Sequence, residues 1–329
     1  MSAGQPAATR TRFLETDMQS NAQTAPLAVH SVDEFVFSVP DLEEARRFYS
    51  SFGLDVRDEG GCLALYTHGH PHRWARILKG VRKRLLWVSM GIHADDLERF
   101  AVHLDRLGIA RRDAPQDADP AGLWIEAPDG LALQLRIAAK SSPSAPAPQE
   151  PPQASGGAGR APARSQVRQV RPLYLSHILL FSADVVRATR FYVDALGLRV
   201  SDTSGDAIAF IHSPHGSDHH LIALAKSHGL GLHHSSWCVP SIDAVGQGME
   251  QMGAAGYADG WGVGRHVLGS NYFRYVRDPW GSYAEYSYDI DFIAEGQKWP
   301  SGDYPPEDSL YVWGPALPPD FITNHERDG

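Results

Sequence analysis

The chain has 329 residues, which at roughly 150 residues per domain suffices for two domains with their own cores. Its 30 Lys and Arg residues against 39 Asp and Glu residues give a formal net charge of −9, which argues against the basic surface of a nucleic-acid-binding protein. It shows neither a long apolar run nor a secretory signal, and Cys62 and Cys238 are too few for a disulfide framework, so we expect a cytoplasmic protein without membrane contact.

Stretches of biased composition divide the chain. Residues 1–28 are rich in Ala, Gln, Thr and Ser and predict a flexible N-terminal tail, and residues 138–171, dominated by Pro, Ala, Ser and Gly, predict a linker. The segments 29–137 and 172–290 are therefore the two predicted domains. The remaining residues, 291–329, interleave prolines with aromatic residues and predict an extended strap that lies on the second domain.

Both predicted domains open with the same pattern. DLEEARRFYSSFGLDV at 41–56 and DVVRATRFYVDALGLRV at 184–200 share Asp, Arg-Phe-Tyr and Gly-Leu-x-Val, and each follows a short apolar run. Asp41 with Glu44 has the spacing of a capping box, and the Gly-Leu pair is typical of a helix end. A strand followed by a helix is therefore predicted in both. Short strands are predicted next, at 62–66, 73–78, 206–212 and 219–226.

A second strand and helix follow inside each half, at 85–108 and 232–253, and each half ends in a turn and a strand, at 127–137 and 278–290. The chain is therefore predicted to contain four copies of a β-α-β-β-β unit of about 50 residues, two in each domain. This repeat predicts an α+β fold.

Repeat-equivalent positions predict a metal site. Aligned opening strands of the four units place these residues at one position: Glu34, Trp87, His177 and His234. The closing strands place Glu285 in the second domain where the first has Gln134. Two imidazoles and one carboxylate, with three adjacent coordination positions left open, are typical of non-haem Fe(II) sites that use O2. A buried carboxylate also needs a compensating charge, which a metal supplies.

On these residues the sequence resembles the vicinal oxygen chelate superfamily and, within it, the type I extradiol ring-cleavage dioxygenases, over residues 30 to 290. The resemblance implies two incomplete barrels, each of two βαβββ modules, with metal only in the second. The family's ligands, from the first strands of the third and fourth modules and the last strand of the fourth, correspond here to His177, His234 and Glu285. The resemblance implies Fe(II), with Mn(II) as the other metal that suits the same ligands.

The resemblance also implies three catalytic residues. His219, fifteen residues before His234, corresponds to an acid–base on the O2 side. His266 and, nine residues further on, Tyr275 correspond to residues beside the substrate oxygens. The implied reaction is extradiol cleavage of a catechol by O2 in aromatic-compound catabolism. We expect a homo-oligomer, because the family commonly assembles, and we expect no nucleic-acid or membrane partner.

Neighbouring histidines need a choice. Strand alternation is expected to turn only one of His233 and His234 into the barrel, and both the repeat offset and the resemblance select His234. His219 and His220 likewise face opposite sides, and the resemblance selects His219. Other histidines in or near loops are expected to be solvated: His212, His215 and His228.

Alternative functions remain. A metal-dependent isomerase or lyase of the glyoxalase kind shares the scaffold, but it would need a second carboxylate from the closing strand of the third module, and HHLIALAK contains none. A non-enzymatic small-molecule binder would have no need of His219, His266 and Tyr275 at these spacings. An intradiol enzyme is disfavoured, because its ferric site needs tyrosine ligands.

Overall fold

The computed structural model describes residues 25–148 and 161–326, and these residues form two large mixed sheets and five helices. The predicted α+β class is confirmed. Most of the predicted tail, the middle of the predicted linker and the last three residues lie outside the described residues, and the domain boundaries stay a prediction. No helix in the described segments is long and apolar enough to span a membrane.

The first half of the chain contributes seven strands and two helices within the described residues. They are β1 (Ser31–Val39), α1 (Leu42–Ser51), β2 (Asp55–Glu59), β3 (Cys62–Tyr66), β4 (Arg73–Lys79), β5 (Arg84–Ile92), α2 (Leu97–Arg106), β6 (Leu123–Glu126) and β7 (Ala132–Ile137). Their sheet has the order β2-β3-β4-β1-β5-β7-β6.

The second half contributes twelve strands and three helices over the same described residues. They are β8 (Tyr174–Ser182), α3 (Val185–Leu196), β9 (Arg199–Ser204), β10 (Ile208–His212), β11 (Ser217–Asp218), β12 (Ile222–Lys226), β13 (Gly231–Cys238), α4 (Ile242–Ala254), β14 (Gly260–His266), β15 (Tyr272–Arg277), β16 (Tyr283–Tyr288), β17 (Phe292–Ile293), β18 (Gly302–Asp303), α5 (Pro306–Ser309) and β19 (Tyr311–Trp313). Ten of the strands form one sheet, in the order β18-β9-β10-β12-β8-β13-β16-β15-β14-β19.

The two sheets share one pairing register at their centres. Glu34 of β1 lies opposite Ser89 of β5, and the equivalent His177 of β8 lies opposite Ser236 of β13. Ser236 is also paired with Glu285 of β16. The second repeat differs from the prediction, because the segment 109–122 forms no strand and only β6 and β7 follow α2.

Local sequence starts and ends the helices that follow β1 and β8. Asp41 Oδ1 accepts hydrogen bonds from the backbone N–H groups of Glu43 and Glu44 at 2.9 and 3.1 Å. Asp184 Oδ1 accepts from the N–H of Arg187 at 2.9 Å. Side-chain acceptors of this kind satisfy the free N–H groups of a first turn. Gly197 ends α3 with φ of 71°, a conformation that glycine adopts at little cost.

The two sheets are joined by buried polar and aromatic contacts. Tyr286 stacks on Phe52 with ring centroids 3.9 Å apart, and its hydroxyl donates to the Phe52 carbonyl at 2.8 Å. Glu326 accepts from the backbone N–H of Leu85 on β5 and of Leu232 on β13, at 2.8 and 2.9 Å. A single carboxylate thus ties the equivalent central strands of both halves together.

The residues after β16 lie on the second sheet. β17 pairs with β11, β18 extends the sheet beside β9, and β19 extends its other edge beside β14. The described part of the predicted strap therefore follows the second sheet along both edges before it reaches the contact between the halves at Glu326.

Replacement of Glu326 by alanine is expected to lower the free energy of unfolding by about 3 kcal/mol, because two buried N–H groups lose a charged acceptor. Urea denaturation of the wild-type protein, Glu326→Ala and Glu326→Gln measures the effect. Glu326→Gln keeps one acceptor oxygen and should lose less. Glu307→Ala removes an exposed carboxylate and should change stability by under about 0.5 kcal/mol. Equal stability of Glu326→Ala and the wild type would contradict the proposed tie.

Candidate metal centre

Three buried side chains from adjacent strands converge on one point. His177 lies on β8, His234 on β13 and Glu285 on β16, which are neighbours in the second sheet. Ser236 of β13 pairs with both His177 and Glu285. His234 lies two residues before Ser236 and therefore points to the same face of the sheet. The Nε2 atoms of His177 and His234 lie 3.4 and 3.6 Å from Glu285 Oε2.

The chemistry of the three side chains suits a divalent metal. One possible ligand atom from each lies within 4.8 Å of the others. His234 Nε2 and Glu285 Oε2 are buried and have no hydrogen-bond partner, an arrangement that is costly unless a cation lies against them. Two histidines and one carboxylate fit Fe(II) and Mn(II).

Burial and neighbouring charges set the ionisation of this cluster. Burial lowers the pKa of His234 well below its usual value, so the imidazole is neutral and offers a lone pair. Burial by itself would raise the pKa of Glu285, but the close approach of the His177 ring outweighs burial and lowers that pKa. Glu285 is therefore an ionised carboxylate, as a metal ligand must be.

His266 and Tyr275 lie together beside this cluster. His266 Nδ1 donates to the carbonyl of Leu310 at 2.7 Å, since a carbonyl only accepts, and its Nε2 then accepts from the Tyr275 hydroxyl at 2.9 Å. His266 Nε2 is 3.8 Å from Glu285 Oε1. Burial, followed by the charge of Glu285, raises the pKa of Tyr275 well above its usual value, so its hydroxyl keeps its proton.

The structure does not bring His219 to the cluster, and His220 lies there instead. The His220 ring centroid is 3.9 Å from that of His177, whereas His219 Nε2 donates to Asp202 Oδ2 at 2.8 Å. Spacing could not decide between them, because residues 219–221 connect β11 and β12 outside any strand, and alternation does not apply there. Burial, and then the proximity of the His177 ring, lowers the pKa of His220 well below its usual value.

Strict alternation also fails at His233. The pairing of β13 with β8 shifts between Leu232 and His234, which leaves His233 in a bulge. Both His233 and His234 therefore line the same cavity, contrary to the expectation that only one ring faces it.

The prediction of solvated histidines is wrong for two of the three. His212 and His215 are buried, while His228 is exposed. Ser201 Oγ is 2.8 Å from His212 Nδ1, and His215 Nε2 donates to the carbonyl of Ala28 at 3.2 Å. His215 is buried through a tertiary contact, because residues 25–30 lie over it. The sequence assigned these residues to the tail and to the start of the first domain.

A largely apolar cavity opens onto the cluster. Its apolar lining residues come from strands β8, β10 and β12, from the segment before β15 and from the strap. They are Leu179, Ile208, Phe210, Ala225, Leu268, Leu310, Phe321 and Ile322. Its polar lining residues are five histidines and three others: His177, His220, His233, His234, His266, Asn271, Tyr275 and Ser309. In the described residues this lining holds neither lysine nor arginine, so the cavity suits a neutral, largely apolar molecule.

Sequence reasoning missed Asn271 and the contribution of the strap to the cavity wall. Asn271 Nδ2 donates to Glu285 Oε1 at 3.2 Å, which holds that oxygen and leaves Oε2 towards the two histidines. The signal was its even spacing from Tyr275, which places both on one face of an extended segment. Phe321 and Ile322 carried no such signal, because no periodicity links the strap to the barrel.

Comparison with known proteins places this site in context. Residues 174–286 match the model of the glyoxalase, bleomycin resistance protein and dioxygenase superfamily. Metapyrocatechase 2 of Cupriavidus necator is 50% identical over 299 residues, which cover 91% of this chain and 93% of that protein.

Two solved structures show the same fold. An extradiol ring-cleaving dioxygenase from B. fuscum superposes with a TM-score of 0.71 and 21% identity, covering 91% of this chain and 83% of that chain. A Mn(II)-bound glyoxalase from Novosphingobium aromaticivorans superposes with a TM-score of 0.70 and 23% identity, covering 88% and 93%. At these identities the likeness concerns the fold alone.

A divalent metal is expected to stabilise this protein through the cluster. Mn(II) at about 100 times its dissociation constant should raise the free energy of unfolding by about 2.7 kcal/mol, since binding favours the folded state. Thermal unfolding of metal-free protein with and without Mn(II) measures this gain. His234→Ala should abolish it and His228→Ala, at an exposed position, should retain it. An equal gain in His234→Ala would place the metal elsewhere.

Proposed function

This chain belongs to the extradiol ring-cleavage dioxygenases, and we propose that His177, His234 and Glu285 hold the divalent metal at which it cleaves a catechol with O2. The protein is a dioxygenase of aromatic-compound catabolism. The observation that carries the proposed site is the convergence of two imidazole Nε2 atoms on Glu285 Oε2 beneath a largely apolar cavity.

The metal is proposed to be Fe(II), with Mn(II) as the alternative for the same ligands. When bound, it supplies one place at which the catechol oxygens and O2 meet and exchange electron density. Three protein ligands, rather than four, leave the coordination positions that two such molecules require. The single carboxylate would leave a bound divalent ion with a net positive charge, which would favour loss of a proton from a catechol that enters neutral.

His220 is proposed to be the acid–base of the reaction. Its ring lies against His177 and lines the cavity. Burial keeps it neutral, so it can take a proton from a catechol hydroxyl and return it to an oxygen that gains charge. The role that the sequence assigned to His219 thus passes to the next residue, because His219 is turned towards Asp202.

Tyr275 and His266 are proposed to orient the substrate oxygens. Both line the cavity, and they are hydrogen-bonded to each other at 2.9 Å. Because Tyr275 keeps its proton, its hydroxyl can turn from His266 to donate to one catechol oxygen and favour ionisation at that position. Leu310 holds His266 from the strap, so the strap helps to fix the orientation of this pair.

A glyoxalase-type reaction is not favoured. The metal-binding group found among the described residues contains one carboxylate, and β12, the strand that would carry the second, reads IALAK. Assembly as a homo-oligomer and a cytoplasmic location stay predictions.

The direct test of the proposed reaction is reconstitution of metal-free protein with Fe(II) under anaerobic conditions, followed by exposure to air with a panel of catechols. We expect O2 uptake and a yellow ring-opened product, whose spectrum distinguishes the two possible extradiol cleavage positions. His177→Ala should lose both metal and activity. Absence of O2 uptake with every catechol, with iron and with manganese, would contradict the proposal.

His220→Gln is expected to lower kcat by about 10²- to 10⁴-fold, the range typical of a lost acid–base, while metal content stays unchanged. His219→Gln is the matched variant and should lose less, because His219 does not line the cavity. Steady-state O2 uptake together with metal analysis measures both. A larger loss in His219→Gln than in His220→Gln would restore the assignment made from the sequence.

Catechols with a carboxylate substituent are expected to be poor substrates. The cavity lining offers no cation among its described residues, and an unpaired charge is costly to bury. For 3,4-dihydroxybenzoate we expect a kcat/KM at least about 100-fold below that for 4-methylcatechol, a difference of about 2.7 kcal/mol. Similar kcat/KM values would show that the carboxylate meets a positive group or solvent.

A further inference from the structure

Three of the histidines that line the cavity each lie beside a polar residue that comes just before them in the chain. The pairs are Ser176 with His177, His219 with His220, and His233 with His234. In each pair the Nδ1 atom of the second residue lies near a polar atom of the first, at 3.2, 3.1 and 2.7 Å respectively. Each first residue in turn bonds an acceptor of its own: Ser176 bonds Asp218, His219 bonds Asp202 and His233 bonds the Phe321 carbonyl.

The hydrogen of the Ser176 hydroxyl is directed away from His177. Ser176 Oγ donates to Asp218 Oδ2 at 2.6 Å, so its oxygen is free to accept from His177 Nδ1. Burial raises the pKa of Asp218 to about 7, and Oδ2 accepts from Ser176 whether or not Oδ1 carries a proton. His177 therefore carries its hydrogen on Nδ1, and its Nε2 lone pair faces Glu285 Oε2 at 3.4 Å.

The same logic applies to His233 and His234. His233 Nε2 lies 2.7 Å from the Phe321 carbonyl, which only accepts, so the hydrogen of this neutral ring is on Nε2. Two Nδ1 atoms 2.7 Å apart share one hydrogen, and the hydrogen of the His233 ring is already on Nε2, so its Nδ1 must accept from His234 Nδ1. The free lone pair of His234 is then on Nε2, the buried atom that has no hydrogen-bond partner.

We propose that Ser176 and His233 are positioning residues that fix the tautomers of His177 and His234, so that both rings present an Nε2 lone pair to the metal. This inference rests on the proposed metal site. The two ligand histidines cannot by themselves determine which nitrogen binds the metal, because an isolated imidazole can carry its hydrogen on either nitrogen. Outer hydrogen bonds that select the ligating nitrogen typically change metal affinity by about 10- to 100-fold when they are removed.

His219 has the matching place beside His220. Its Nε2 donates to Asp202 Oδ2 at 2.8 Å, and its Nδ1 lies 3.1 Å from His220 Nδ1. The pattern therefore extends from the two ligands to the proposed acid–base.

A titration of metal-free, full-length protein with Mn(II), followed by the electron paramagnetic resonance signal of the free ion, tests the proposal. Ser176→Ala and His233→Leu should each weaken Mn(II) binding by about 10- to 100-fold. His233→Asn should recover much of the affinity, because its amide oxygen can accept from His234 Nδ1. Ser31→Ala is the matched control: it removes a buried serine bonded to the Nδ1 of adjacent His30 at 2.9 Å, but in the first sheet, and should leave Mn(II) affinity unchanged.

Unchanged affinity in both Ser176→Ala and His233→Leu would overturn the inference, as would an equal loss in Ser31→Ala or no recovery in His233→Asn. If the wild-type protein itself binds no Mn(II) or Fe(II), the proposed metal site fails as well, so the two failures are distinguishable. Nitrogen NMR of ¹⁵N-histidine-labelled, metal-free wild-type protein gives a second test that needs no destabilised variant. His177 and His234, assigned by His177→Gln and His234→Gln, should both carry hydrogen on Nδ1; an Nδ1 atom without hydrogen in either ring would overturn the inference.

Discussion

The carboxylate of Glu285 is fully buried, and the centre of the second sheet is organised around that charge. Asn271 donates to its Oε1 atom, but Oε2 has no hydrogen-bond partner and faces the Nε2 atoms of two histidines. A buried carboxylate in this state costs several kcal/mol unless a cation lies against it. The proposed divalent metal would offset this cost, because it would lie between that oxygen and the two imidazole nitrogens.

The first sheet also has a buried carboxylate at its centre, and there arginine side chains compensate its charge. Glu34, at the position that corresponds to His177, accepts from Arg73 Nε at 2.6 Å and from Arg76 Nε and Nη2 at 3.0 and 2.9 Å. Arg76 also lies over the ring of Trp87, which corresponds to His234. Guanidinium groups thus occupy the centre of one barrel where a metal is proposed in the other. Because the central strand pairs β1–β5 and β8–β13 share one register, the difference between the two sheet centres lies in their side chains.

That shared register explains how much of the site was predictable. His177, His234 and Glu285 followed from repeat positions because strand pairing carries equivalent residues to equivalent places. Outside regularly paired strands, the alternation of residues in the sequence does not predict which way a side chain points. His220 lies in a connection and His233 in a bulge, so alternation could not say which histidines face the cavity. The burial of His212 and the cavity contacts of Phe321 depend on tertiary packing that no local pattern encodes.

The central claim, ring cleavage beside the diol at the cluster of His177, His234 and Glu285, is tested most directly by product analysis after reaction under ¹⁸O2. The Fe(II)-loaded enzyme should yield from catechol a ring-opened semialdehyde that contains both atoms of one O2 molecule, identified by mass spectrometry and NMR, and a variant that lacks His234 should yield none. A product with an intact ring, or one cleaved between the two hydroxylated carbons, would contradict the account.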